Sequence, residues 1–186
     1  MIKQTRAYQY ARWCVRPDNR KVGRYVKKQA EAWLRIADGR HPAAFVSEKA
    51  IHKMESLLTL MVHPDLLCPM AEGLEDYAWF LIIAVFCTRQ REDNRRFYTT
   101  ALLEISRKNF KTFNSAVIFI IGMLTEPRFS RFFSVAPDYK LSSELRLAVR
   151  KIIKVSPALT ERFKINRDMI TCLLNDIEYT PLAYSN

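Results

Sequence analysis

The stretch from Ala101 to Leu124, ALLEISRKNFKTFNSAVIFIIGML, constrains this chain more than any other. An apolar run ends at Ser106, a basic link RKNFK follows, and a second apolar run starts after Thr112. That outline predicts strand, loop and helix. Such a loop wraps phosphate when consecutive backbone N–H groups turn inward ahead of a helix N-terminus. A Lys then reaches the terminal phosphates, and a Ser or Thr hydroxyl holds Mg²⁺. Lys111 and Thr112 stand in that order and context. The pattern G-x-x-x-x-G-K-[ST] would put glycines at Ile105 and Phe110, and neither is there. If phosphate wrapping demands a positive φ at Phe110, the bulky side chain costs about 1–3 kcal/mol. The expected escape is a path that keeps Phe110 at negative φ with its ring in an apolar pocket. Asn109, which tolerates left-handed geometry, would then take the sharp bend. On these residues alone, a nucleotide site and an ordinary strand-turn-helix joint both stand.

Elsewhere the hydrophobic period assigns the elements. Arg20 to Asp38 repeats apolar residues at helical spacing (Val22, Tyr25, Val26, Ala30, Trp33, Leu34, Ala37), and Gly39 is the stop. Ser47 caps a second helix reaching Val62, with Ile51, Met54, Leu57, Leu58 and Met61 on one face. HPDLLCP is a proline-bounded loop, and Leu74 to Thr88 forms a third, buried helix. The period then changes. Phe97 to Ser106 reads as a buried strand, Thr112 to Leu124 as a helix, and Arg131 to Ala136 as a strand. Leu141 to Val155 is amphipathic, with Leu141, Leu145, Ala148, Val149, Ile152 and Ile153 inward and a partial capping signal in SSEL. Met169 to Leu174 and Glu178 to Ala183 read as two strands paired about Asn175 and Asp176. The alternation predicts an α/β fold with a mainly parallel sheet and flanking helices, preceded by an N-terminal helical region. The regions are 1–88 and 89–186, packed as one structural unit. Trp33, Trp79 and the Phe-rich stretch 129–133 are assigned to the core.

Charge narrows the partner. The net charge of +11 is uneven: residues 1–40 hold eleven Lys/Arg against three Asp/Glu, and residues 41–88 hold two against six. Arg12, Arg16, Arg20, Lys21, Arg24, Lys27 and Lys28 concentrate near the N-terminus. A polyanion partner and a merely solvated surface both fit this pattern. Cys14, Cys68, Cys87 and Cys172 lack metal-ligand spacing and read as free thiols of a reducing compartment. His41, His52 and His63 recur every eleven residues, but Pro42 and Pro64 break any shared helix, so they read as incidental. No apolar run is long enough to span a bilayer, and MIKQTRAYQY is too polar for a signal peptide. A soluble, intracellular protein with no membrane partner is expected.

Three longer stretches extend the loop's context: LEDYAWFLIIAVF, RRFYTTALLEISRKNFKT and FFSVAPDYKLSSELRLAVRKIIKVSPAL. Together they resemble the N-terminal ATPase portion of the large terminase subunit of tailed bacteriophages, over roughly residues 20 to 186. In that family the loop reads like RKNGKS or RKNGKT, so RKNFKT resembles a variant Walker A with Phe110 as its departure. The resemblance implies a P-loop NTPase-like domain, here incomplete, with ATP and Mg²⁺ as cofactors. Arg107, Lys108, Asn109, Phe110, Lys111 and Thr112 would line the phosphates. Lys111 would contact the β/γ-phosphates, Thr112 would ligate Mg²⁺, and Arg107 would couple nucleotide state to motor motion. Arg107 and Lys111 are thus the implied catalytic residues. Tyr77 in LEDYA corresponds to the aromatic beside adenine, although the family's Gln is Ala78 here, and Tyr77 is equally readable as a core residue. The implied partners are viral double-stranded DNA, with portal protein and small terminase subunit in the full motor. A ring would form only in that assembly, in the host cytoplasm.

Hydrolysis in such motors needs an acidic pair after an apolar strand. None of Asp138, Glu144, Glu161, Asp168, Asp176 and Glu178 supplies one. In the family the pair lies beyond a segment like PLAYSN, which is Pro181–Asn186 here, and a nuclease domain lies further on. The chain is therefore expected to be a fragment of a packaging ATPase, with weak or absent turnover. The alternative is a non-catalytic basic DNA-binding or assembly module. A small P-loop kinase lacks its second phosphate motif, and a purely structural domain would make RKNFKT only a turn.

Overall fold

A computed structural model describes residues 1–184; Ser185 and Asn186, the end of the PLAYSN segment, lie outside them. The chain packs as two compact units, one of residues 1–56 and 74–102, the other of 57–73 and 103–186. The second unit thus recruits residues 57–73 from the region assigned by sequence to the N-terminal helices.

The first unit is mainly helical. After a 3₁₀ turn (Ile2–Gln4), α1 (Arg6–Cys14) starts at Thr5, whose hydroxyl accepts from the Tyr8 N–H at 3.3 Å. Ala7, Tyr8, Ala11 and Cys14 recur at helical spacing and are buried. α2 (Arg24–Ala37) buries Ala30, Trp33, Leu34 and Ile36. Its end follows the glycine signal: Gly39 has φ 75°, its N–H bonds to Ile36 O at 3.0 Å, and the Arg40 N–H bonds to Arg35 O at 2.8 Å. This is the Schellman arrangement, which only a residue at ease with positive φ closes without strain. Tyr25 and Val26, expected inward, are exposed, because the apolar stripe of α2 begins one turn later. α3 (Glu48–Leu60) is capped by Ser47 Oγ, which accepts from the Ala50 N–H at 3.2 Å. α5 (Asp76–Cys87) is apolar all round and nearly all buried. It runs straight into β2 (Thr88–Gln90), which pairs antiparallel with β1 (Ala44–Val46). Trp33 is fully buried and donates from Nε1 to Thr88 Oγ1 at 3.1 Å.

The expected buried strand from Phe97 to Ser106 is not formed. Among the described residues its start is reached by an isolated bridge between Arg89 and Arg96 and by one bond from the Phe97 N–H to Thr88 O at 2.9 Å, and Leu102 is 89% exposed. A strand exists by virtue of its neighbour, and among the described residues nothing offers this run a ladder.

In the second unit, the last turn of α3 and α4 (Met70–Gly73) accompany α6 (Lys111–Thr125), α7 (Tyr139–Val155), α8 (Pro157–Thr160) and a four-stranded sheet. The sheet order is β3 (Arg131–Ala136), β6 (Ile177–Ala183), β5 (Ile170–Cys172), β4 (Phe163–Ile165). β3 and β6 are parallel, whereas β6–β5 and β5–β4 are antiparallel. The sheet is therefore mixed rather than mainly parallel. The reason is connection length: β4, β5 and β6 follow one another through links of four residues, too short for a crossover. Asn175 and Asp176 do form the expected turn. Asn175 Nδ2 donates to Met123 O at 2.8 Å, and Arg128 pairs with Asp176 at 2.6 Å.

α6 and α7 cover the face of β3 and β6 that carries Phe132, Ser134 and Tyr179. Phe119 packs edge-on against Phe132 (5.6 Å) and Tyr179 (4.9 Å). Gly122 is needed there, since a Cβ would lie 2.7 Å from the Phe132 ring. Asp138, not the SSEL signal, caps α7 through the Leu141 N–H at 2.9 Å. Val149, Ile152 and Ile153 are buried as expected, while Leu141 is exposed. Of the aromatics assigned to the core, Trp33 and Trp79 are buried, but Phe129 and Phe133 are exposed, Phe129 in a left-handed turn and Phe133 on the uncovered sheet face.

Candidate functional site

The link between Ser106 and α6 is a tight bend. Asn109 holds it from within: its Nδ2 donates to Ser106 Oγ at 2.6 Å and to the Arg107 carbonyl at 3.2 Å. The left-handed residues are not the one the sequence favours. Lys108 has φ 64° and Phe110 has φ 55°, while Asn109 between them is not left-handed. Phe110 thus does not escape to negative φ, nor does its ring enter a pocket, being 58% exposed. The reason is the side-chain bonding just described. Asn109 is committed to closing the turn, so its neighbours take the reversals. Alternating φ signs over 108–110 are the kind of backbone from which anion-binding nests are built.

α6 starts directly after this bend. Its N-cap is Phe110 at φ 55°, ψ 23°, and no side chain caps it. The first amides of a helix have no intrahelical acceptor, so those of Lys111 and Thr112 are left to whatever binds there. The first regular bond is from the Asn114 N–H to Phe110 O at 2.8 Å. Arg107, Lys108, Lys111 and Thr112 are all exposed, and none of the three cations is in an ion pair among the described residues.

The sheet sets where this bend points. Contacts at Phe119 and Gly122 place the later turns of α6 against Phe132 near the start of β3. The earlier turns therefore run toward the C-terminal ends of parallel β3 and β6, where open α/β sheets bind their ligands. Thr112's hydroxyl, Lys111's ammonium and the free amides form a donor set suited to phosphate oxygens. Among the described residues no group of three or more His, Cys, Asp and Glu side chains could hold a metal ion. The exposed Thr112 hydroxyl fits a Mg²⁺ whose remaining ligands come from a nucleotide's own oxygens.

Tyr77 belongs to the first unit, half-buried in α5. Two residues beside the loop escaped the sequence reading. Phe113 in the first turn of α6 packs against His63 with ring centroids 4.7 Å apart and the planes tilted by 50°. His63 is buried, and burial pushes its pKa below the ordinary imidazole value; Asp65 opposes this and Lys151 adds to it. The available signal was His-Pro-Asp itself, since a ring nitrogen can accept from amides two and three residues on, as Asx side chains do. The four cysteines are free thiols, and burial raises Cys87 to about 12.

The chain has a terminase-like fold. Its structure is similar to that of the HK97 bacteriophage large terminase, with a TM-score of 0.60 and 21% sequence identity. The match covers 73% of this chain and 27% of that one, so this chain corresponds to roughly a quarter of the terminase it resembles. No family model and no curated protein matches the sequence. Among the described residues no helix is long and apolar enough to cross a membrane.

Proposed function

We propose that this chain is the loop-bearing portion of the ATPase motor of a phage large terminase, and that Ser106 to Thr112 binds ATP with Mg²⁺. One observation carries the reading: a left-handed Phe110 stands directly ahead of Lys111 and Thr112 at an uncapped helix start. That is the backbone a glycine would normally provide. Within this reading Lys111 neutralises charge on the β/γ-phosphates and Thr112 ligates Mg²⁺. Arg107 stabilises charge that develops as the γ-phosphoryl leaves. Double-stranded viral DNA is the load, and portal protein and small terminase subunit are the assembly partners, in the host cytoplasm. Among the described residues no acidic pair follows an apolar strand after the loop, so slow turnover at best is expected of them.

Titrating a fluorescent ATP analogue with and without Mg²⁺ tests the site. Lys111→Ala removes a charged hydrogen bond of about 1.5–3 kcal/mol, so affinity falls roughly 10- to 100-fold. Thr112→Ala removes the Mg²⁺ dependence. Unchanged affinity in Lys111→Ala rejects the reading.

A second reading is favoured by α2. Its outer face forms an open groove with Val22, Arg24, Tyr25, Lys27, Lys28 and Glu31, and Arg24 lies 4.8 Å over the ring of exposed Tyr25. Arg24, Lys27 and Lys28 have no acidic partner among the described residues. A basic DNA-binding or assembly module would use this face. Its marker is salt-steep binding to any DNA, indifferent to Lys111→Ala.

A further inference from the structure

His63 is 6% exposed, and its Nδ1 accepts from the main-chain N–H groups of Asp65 (3.3 Å) and Leu66 (3.2 Å). That pairing selects the neutral ring with its proton on Nε2, because a protonated Nδ1 would be a donor facing two donors. The ring is clamped. On one side Gly73 comes so close that a Cβ there would lie 2.8 Å from Cδ2 of His63. The Phe113 ring also packs on it, with centroids 4.7 Å apart. Phe113 in turn meets Phe110 edge-on, with centroids 6.5 Å apart. A continuous run of rings therefore leads from a buried imidazole to the left-handed residue ahead of Lys111.

We propose that His63 and Phe113 are positioning residues for the loop. The neutral imidazole backs Phe113, and through it holds Phe110 in the bend that aims the amides of Lys111 and Thr112 at an anion. This inference rests on the nucleotide-site reading and identifies what keeps that site in shape. Its consequence is a dependence on protonation. A proton on Nδ1 turns the acceptor of two amides into a donor against them, so the ring must swing away and Phe113 loses its support. The charged groups acting on His63 are Asp65 in its own turn and Lys151 on α7, which are paired with each other at 2.5 Å. α4 meets the ring with the Gly73 backbone and α6 with the Phe113 ring, and neither of these groups titrates. The loop is held at neutral pH and released in acid.

The test uses the full chain as wild type, His63→Asn and Phe113→Leu. Asparagine keeps an oxygen able to accept from the two amides but cannot titrate. Leucine keeps apolar bulk without the ring. Two quantities are followed from about pH 7.5 to about pH 5, the range in which imidazole titrates. One is affinity for a fluorescent ATP analogue with Mg²⁺. The other, without nucleotide, is hydrogen exchange at the amides of Asn114 to Val117, corrected for intrinsic chemistry. In wild type, exchange should quicken and affinity fall by at least about fivefold, the low end of measured couplings between sites. His63→Asn should lose both effects. Phe113→Leu should keep the His63 titration, seen by NMR, while uncoupling it from α6. The rest of the chain and the analogue are the same in all three measurements, so their contributions cancel. The same pH dependence in wild type and His63→Asn overturns the proposal. If wild type binds no analogue at any pH, the nucleotide reading falls, and the exchange data still decide the positioning role by themselves.

Discussion

Position 110 offers a comparison whose sign is unusual. At φ 55°, ψ 23°, a residue with a Cβ sits in the left-handed region. There it is disfavoured by about 1–2 kcal/mol relative to the right-handed helix. Glycine escapes that cost but gives the unfolded chain more freedom, which offsets about 0.4–1 kcal/mol. Alanine keeps the Cβ and its strain. Both replacements lose the contact of Phe110 with Phe113, so that loss cancels between them. Phe110→Gly should therefore be more stable than Phe110→Ala by about 0.5–1 kcal/mol. Inside a helix the order is reversed by about 1 kcal/mol. Trp13, Trp33 and Trp79 all lie in the first unit, so their fluorescence would miss the effect. Far-UV circular dichroism in urea, to which α6 and α7 contribute alongside the helices of the first unit, detects it. With a slope of about 2 kcal/mol per molar, the glycine variant should unfold at about 0.25–0.5 M higher urea than the alanine variant. An alanine variant as stable as the glycine variant, or more so, would show that the loop does not hold Phe110 left-handed, and the nest argument would go with it.

Thr88→Val should destabilise the first unit by about 1–3 kcal/mol, because it strands the buried Trp33 indole N–H, and tryptophan fluorescence in urea reads this directly. Gly122→Ala forces a Cβ to 2.7 Å from the Phe132 ring. Overpacking of about 1–3 kcal/mol should outweigh the helix-propensity gain of about 1 kcal/mol, lowering the melting temperature of the second unit. For His63, whose folded pKa is lowered by burial, the unfolded chain binds the proton more readily. Its contribution to stability is therefore complete above about pH 6.5 and is lost as pH falls below that toward the folded value, and a urea-midpoint series against pH should flatten in His63→Asn.

Local signals carried much of the fold. α2 and α3 each announce themselves by an apolar period and a stop or cap within the same segment, Gly39 for α2 and Ser47 for α3, while α5 and α6 show as apolar runs and α7 as an amphipathic one. β3 and the β5–β6 hairpin were legible for the same reason, with Asn175 and Asp176 marking the reversal. The failures share one cause, which is dependence on a distant partner. Phe97 to Ser106 has the composition of a strand, yet composition cannot supply the neighbouring ladder, and Leu102 stays in water. β1, β2 and β4 are three residues long, too short to show a period, and β5, no longer, is legible only through the Asn175–Asp176 turn to β6. The strand directions were open to a simple length argument, since links of four residues at β4–β5–β6 exclude a parallel crossover. The alternation of strand and helix nevertheless suggested a mainly parallel sheet.

The loop shows the same limit at the scale of one residue. Intrinsic tolerance points to Asn109 as the left-handed residue, because its short amide suffers least there. The structure spends that amide on Ser106 and Arg107, and this commitment moves the reversal onto Lys108 and Phe110. Propensity ranks residues one at a time, whereas the bend is solved jointly by three. Such strain persists only where the surroundings over-determine it. In this unit the surroundings are identifiable: Asn109 closes the turn from inside, and Phe113, backed by His63 and Gly73, supports it from α6. A relaxed turn of the same six residues with Asn109 reversed would cost less, and the proposed nucleotide site is a reason for the chain to forgo it. Substituting Asn109→Ala separates the two cases. It removes the inner bonds but leaves the aromatic support, so nucleotide affinity should fall while the second unit stays folded. An affinity left intact by that change would mean the amide is incidental and the aromatic run alone shapes the bend.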